Sequence, residues 1–137
     1  MIQSKIAVIL PVYKNDKVPY IRLSFDSILN QKHTDVFLYV GVDGPVGDDL
    51  VLCLREYESL ENVHIYWFLE NRGLAIVLND LLDICFKEGY EYIARMDADD
   101  ISMPERIKNQ VSYLQTHSEI DVVGGAIEEI DEEGESR

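Results

Sequence analysis

The sequence predicts an α/β fold, a mostly parallel sheet flanked by helices. Three observations predict it. Short apolar, β-branched runs recur along the 137 residues, stretches with apolar residues at helical spacing lie between them, and the runs are apolar at nearly every position. Strands bridged by helices run parallel because each crossover has room for a helix, and a strand apolar throughout has both faces covered. The expected sheet is therefore Rossmann-like.

The elements follow in order. Strand candidates are Lys5 to Val12, Val36 to Val42, Val63 to Leu69, Tyr90 to Met96 and Asp121 to Ile127. The first helix carries Ile21, Phe25, Ile28 and Leu29 on one side, with Asn15 or Asp16 as its cap. Gly44, Pro45 and Gly47 break the chain after the second strand, and Leu50, Leu54 and Tyr57 mark the next helix. Leu74, Val77, Leu78, Leu81, Leu82 and Cys85 mark a third. Ile107, Val111 and Leu114 mark a fourth, with Pro104 suited to its first turn. From Glu119 onward there are eight acids and one base, read as a solvated segment, and Glu132, Glu133 and Gly134 read as a turn toward a further strand. The whole chain reads as one domain that stops before it is complete.

Composition narrows the function. With 12 Lys and Arg against 26 Asp and Glu, the formal charge is −14. Such a surface repels nucleic-acid phosphates, so no nucleic-acid partner is expected. No apolar run reaches the roughly 18 to 20 residues of a membrane helix, and the N-terminus lacks a signal-peptide pattern. The chain reads as cytoplasmic, or as peripheral to the inner face of the membrane within a longer protein. Cys53 and Cys85 have no CxxC spacing and read as reduced core residues. His33, His64 and His117 lack a second His or Cys at ligand spacing. Neither GxSxG nor GxxxxGK[ST] is present.

Ligands of open parallel sheets collect beyond the carboxyl ends of the strands, where loops converge and helix N-termini offer unpaired N–H groups. Polar residues punctuate three predicted strand ends there: Pro11, Val12, Tyr13; Val42, Asp43, Gly44; and Asp97, Ala98, Asp99, Asp100. Three carboxylates within four residues repel one another unless a cation sits among them. Hard oxygen ligands without His or Cys select Mg2+ or Mn2+ over Zn2+. Asp99 and Asp100 would serve equally as caps for the following helix, and Asp43 as a turn residue. Tyr13 offers a flat face for a nucleobase or a cover for the sheet edge. Asn71, Arg72 and Gly73 present N–H groups and a guanidinium suited to phosphate, or form a turn. Arg95 falls on the same side of its strand as Asp97 and is its natural ion partner.

Five stretches taken together resemble the N-terminal part of the family 2 glycosyltransferases, the inverting group with the GT-A fold. They are VILPVYK at 8 to 14, VDGP at 42 to 45, ENRGLAIVLN at 70 to 79, MDADDISMPERI at 96 to 107 and DVVGG at 121 to 125, in the family's order. The resemblance implies a hexosyltransferase-class enzyme. It implies that Pro11 and Tyr13 line the nucleotide pocket, Asp43 accepts from the base's imide N–H, and Asp97 approaches the ribose side. Asp99 would hold Mn2+ or Mg2+ on the diphosphate, with Asp100 helping through a water. The implied partners are a nucleotide-diphosphate sugar, most often a uridine diphosphate sugar in this family, and a glycan or other hydroxyl acceptor. Two departures stand out. Val42, Asp43, Gly44, Pro45 replaces the common Asp-Asp-Gly-Ser, and Leu78 rather than Arg precedes Asn79, leaving Arg72 as the substitute diphosphate contact. The general base and most of the acceptor surface are expected beyond Arg137, so residues 1 to 137 read as the donor-binding part, with little or no transfer activity alone.

Two other readings compete. A haloacid-dehalogenase-type phosphohydrolase also places a DxD at a strand end, but near the start of its domain and with Thr or Val where Ile101 stands. A non-enzymatic receiver-like module needs acids after the first strand, where Lys14 stands, and a Lys after the fifth.

Overall fold

The computed structural model describes residues 5–136 as four strands and four helices in alternation. They are β1 (Ile6–Val12), α1 (Val18–Leu29), β2 (Val36–Val42), α2 (Asp48–Glu58), β3 (Val63–Trp67), α3 (Leu74–Lys87), β4 (Tyr92–Arg95) and α4 (Arg106–Thr116). The sheet order is β3-β2-β1-β4, and every neighbouring pair is parallel. The chain steps outward from β1 to β3, then returns to place β4 on the other side of β1. The reversal puts a topological switch point between β1 and β4, where the diverging connections leave a crevice.

The two-residue strand period divides the core in two. Ile6, Val8, Leu10 and Val12 of β1, with Val36, Leu38, Val40 and Val42 of β2, face α1, α2 and α4 through Ile21, Phe25, Ile28, Leu50, Leu54, Ile107 and Val111. Ala7, Ile9 and Tyr39 face α3 alone, through Val77, Leu81 and Cys85. On that side Gly41 is required, because a Cβ there would sit 2.5 Å from Val77 Cγ1. Cys53 and Cys85 are buried free thiols in opposite layers, as expected of reduced core residues, and burial pushes the Cys85 thiol up to about 12. The expected α/β, Rossmann-like class is the one observed.

Three local expectations are corrected. The fifth strand does not form: Asp121 to Ile127 is irregular, with Val122 85% and Ile127 89% exposed. Its apolar pattern fits a strand, but a strand exists only through a ladder partner, and Gly124 and Gly125 weaken any pairing. The expected turn after it is present, closed by the Ile130–Ser136 bridge and by the Asp131 carboxylate accepting from Glu133 and Glu135 N–H. Neither Asn15 nor Asp16 caps α1. Lys17 is the cap residue, Pro19 occupies the first turn, and Asp16 instead accepts the Tyr13 N–H at 2.9 Å. Pro104 precedes α4, whose cap residue is Glu105 and whose first residue is Arg106.

Candidate functional site

Register brings the predicted strand ends to one rim. Val12 of β1 pairs with Val42 of β2, and the Asp43 N–H donates to Val12 O at 2.7 Å. Ile9 pairs with Arg95 of β4, and Met96 N–H donates to Ile9 O at 3.0 Å. Tyr13, Asp43 and Asp97 therefore leave three adjacent strands on the carboxyl side of the sheet, Asp97 beside the switch point. Pro11 is half-buried opposite Gly41, and the Tyr13 ring is 44% exposed.

Asp43 is only 6% exposed. Its Oδ1 accepts the Arg72 N–H at 2.7 Å and its Oδ2 accepts the Gly73 N–H at 3.0 Å, while its carbonyl accepts from the Asn71 side chain at 3.2 Å. One carboxylate thus clamps the loop that opens α3. Gly44, at φ +84°, lets that loop approach, since a Cβ would lie 2.6 Å from Asn71 N. The Arg72 guanidinium turns away, paired with Asp80 and lying 4.8 Å from the Phe68 ring centroid.

The second acidic strand end differs. Asp97, Asp99 and Asp100 each offer a carboxylate oxygen within 4.8 Å of the others, and Asp99 and Asp100 are exposed. Among the described residues Arg95 supplies their one ion pair, 3.3 Å from Asp97 Oδ1. Desolvation, followed by the charges of Asp99 and Asp97, raises the Asp100 pKa above its usual value, and Arg106 and Arg95 offset this in part. Three hard oxygen donors, converging with little internal compensation and, among the described residues, no nitrogen or sulfur ligand in the cluster, suit Mg2+ or Mn2+.

Sequence reasoning offered Asp16, with Asn15, as a helix cap, but it belongs to this rim. Burial raises its pKa, the Tyr13 hydrogen bond lowers it, and the charges of Asp99 and Asp97 raise it further. It also overlooked Ser24 and Ser27, on α1 beside its apolar residues, and Gln31, just past its C-cap Asn30; all three are buried or half-buried and follow one another at helical spacing in the sequence. Polar residues at core spacing were the available signal. The histidines lie apart from the rim: His33 is 3.4 Å from Glu105, His64 packs on Tyr39, and His117 stacks on Tyr113 at the end of α4. Among the described residues, no helix is long and apolar enough to cross a membrane.

Comparison with known proteins bears on this geometry. The family model for glycosyl transferase family 2 matches residues 7–137. The chain is 36% identical over 130 residues to the O-antigen biosynthesis glycosyltransferase WbnJ of Escherichia coli, covering 95% of this chain and 49% of that protein. It is 31% identical over 131 residues to the amylovoran biosynthesis glycosyltransferase AmsE of Erwinia amylovora, covering 96% and 48%. The chain thus spans about half the length of these curated relatives. Among solved structures, S. aureus TarS 1-349 in complex with UDP-GlcNAc superposes with a TM-score of 0.69 at 21% identity, covering 83% of this chain and 32% of that one. The mannosyltransferase PcManGT from Pyrobaculum calidifontis, in complex with GDP-Man and Mn2+, gives 0.70 at 22%, covering 82% and 33%. At those identities the superpositions speak for the GT-A-type fold, and the family match, with five motifs in order on that fold, makes this chain a member of glycosyltransferase family 2.

Proposed function

We propose that this chain is the nucleotide-sugar-binding part of a metal-dependent inverting glycosyltransferase. The observation that carries the reading is the convergence of Asp97, Asp99 and Asp100 at the β1/β4 switch point, next to the ends that carry Tyr13 and Asp43. Support comes from structural neighbours solved with UDP-GlcNAc and with GDP-Man and Mn2+.

In this reading the exposed Tyr13 ring stacks on the base and Pro11 shapes the floor beneath it. Asp43 takes the base's N–H on a lone pair that its two backbone bonds leave over, since each carboxylate oxygen has two. Asp97 faces the ribose, while Asp99, aided by Asp100, holds the divalent cation. That ion, when bound, supplies positive charge to the departing diphosphate. Arg72 reaches the diphosphate by exchanging Asp80 for it, and a surface pair of this kind resists by about 1 kcal/mol or less. The acceptor is a glycan or other hydroxyl, and we assign its binding surface and general base to the part of the relatives' length that this chain does not span. Uridine diphosphate sugars are the first donors to try. Such donors belong to the cytoplasmic side of the membrane, where we place the site.

Calorimetric titration of uridine and guanosine diphosphates, with and without Mn2+, tests the reading on the chain and on Asp99→Ala. Binding of at least one nucleotide that strengthens with Mn2+ and loses that gain in Asp99→Ala is expected. Equal, metal-independent heats for both proteins would overturn it.

A further inference from the structure

The loop that carries the three acids is held by a helix distant in sequence, and its grip is on backbone rather than on side chains. Ser24 Oγ donates to Asp97 O at 3.0 Å, and the same carbonyl accepts the Asp100 N–H at 3.2 Å, closing the acidic turn. One turn along α1, Ser27 Oγ accepts the Ser102 N–H at 2.9 Å while donating to Ser24 O at 2.7 Å. Just past the end of α1, Gln31 Nε2 donates to Met103 O at 2.7 Å and to Ser27 O at 3.1 Å, and its Oε1 accepts the Ile107 N–H at 3.0 Å. Lys32 N–H closes the series on Pro104 O at 2.8 Å.

Gln31 thereby does what no local side chain does for α4, which has no side-chain cap of its own: it satisfies an N–H in the first turn. Ser24 is fully buried and Gln31 is 8% exposed, and the bond from the Ile107 N–H to Gln31 is itself buried, where an unmade bond is costly. A loop holding three like charges 4.8 Å apart or closer tends to spread. Fixing its carbonyls and N–H groups from behind keeps the carboxylates converged without using up any of their oxygens.

We propose that Ser24, Ser27 and Gln31 form a brace that positions Asp97, Asp99 and Asp100 for cation binding, with Gln31 the principal positioning residue. This deepens the donor-site reading and rests on it. Partners that orient metal ligands from behind typically change metal affinity by about ten-fold or more when removed.

The test is the gain in uridine diphosphate affinity on adding Mn2+, which by linkage reports nucleotide-coupled metal binding separately from nucleotide binding itself. Gln31→Met keeps the volume and removes all three bonds of the amide; Ser24→Ala removes one bond at nearly constant volume. Gln31→Met is expected to cut the Mn2+ gain by about ten-fold, and Ser24→Ala by a smaller factor, with metal-free affinity kept within about two-fold. If Gln31→Met does not fold, Ser24→Ala decides. An unchanged gain in the folded variants, beside an Asp99→Ala control that abolishes it, overturns the brace and leaves the site standing. Equal losses with and without Mn2+ also overturn it, since they mark a structural role only. Persistence of the gain in Asp99→Ala, or its absence in the unsubstituted chain, overturns the site reading and the brace together.

Discussion

Asp43 and the Asp97–Asp100 turn leave neighbouring parts of one sheet with the same chemistry and use it in opposite ways. Asp43 is buried, and both its oxygens accept backbone N–H groups from the loop before α3. Asp99 and Asp100 are exposed and accept no hydrogen bond from the described residues, while their loop is held through its own backbone by α1 and by Gln31 just beyond it. A carboxylate that organises protein is thereby distinguished from carboxylates that no donor among the described residues engages, the ones we propose hold the cation. The difference lies in which backbone donors a neighbouring loop brings within reach, not in residue type or position on a strand.

The comparison is open to breaking at each end. Asp43→Ala leaves the Arg72 and Gly73 N–H groups without their acceptor, and should lower unfolding stability by about 3 kcal/mol, with Asn recovering part of it. Urea denaturation measures this, and a loss below about 1 kcal/mol would mean that water replaces the clamp. Asp99→Ala, by contrast, should change metal-free stability by no more than about 0.5 kcal/mol, because no internal partner is lost and like-charge repulsion falls.

Acidification separates the two kinds of carboxylate with the smallest effect. Glu58 is of the internally satisfied kind: it accepts from the Trp67 indole at 3.0 Å and from Arg55, and its pKa lies below the usual 4.5, owing first to the Trp67 bond. Its contribution is present above that value and is lost as pH falls through the lower folded value. Asp100 lies above the usual 3.8 because of desolvation and then its acidic neighbours. Its sign is reversed: ionisation of the folded protein is penalised, so stability falls as pH rises from near 3.8 through the raised value. Metal-free urea midpoints between about pH 3.5 and about pH 7 should show Glu58→Gln flattening the acid-side loss and Asp100→Asn raising stability only at the upper end, each by less than about 1 kcal/mol.

Much of this was legible in the chain. The alternation of apolar runs and helical spacings named the fold class, and three polar strand ends named the rim, because strand and helix periods and the geometry of parallel sheets are local or generic. The Asp97–Arg95 pair followed from simple alternation. What failed depended on partners distant in sequence. Asp121 to Ile127 has a strand's composition, yet composition does not supply a ladder. The cap of α4 comes from Gln31, 76 residues away, and Asp16 turned from a helix cap to Tyr13 and the acidic rim.

The sequence by itself determined which segments are strands or helices in the core and which acids stand at strand ends, since these follow from side-chain type and spacing. Tertiary structure alone decided the order β3-β2-β1-β4, and with it that Asp97 sits at the switch point beside β1. It alone decided which carboxylates find donors within the protein. Hydrogen bonds reach about 3 Å, so whether an oxygen is satisfied or left free is settled only when distant loops are packed side by side.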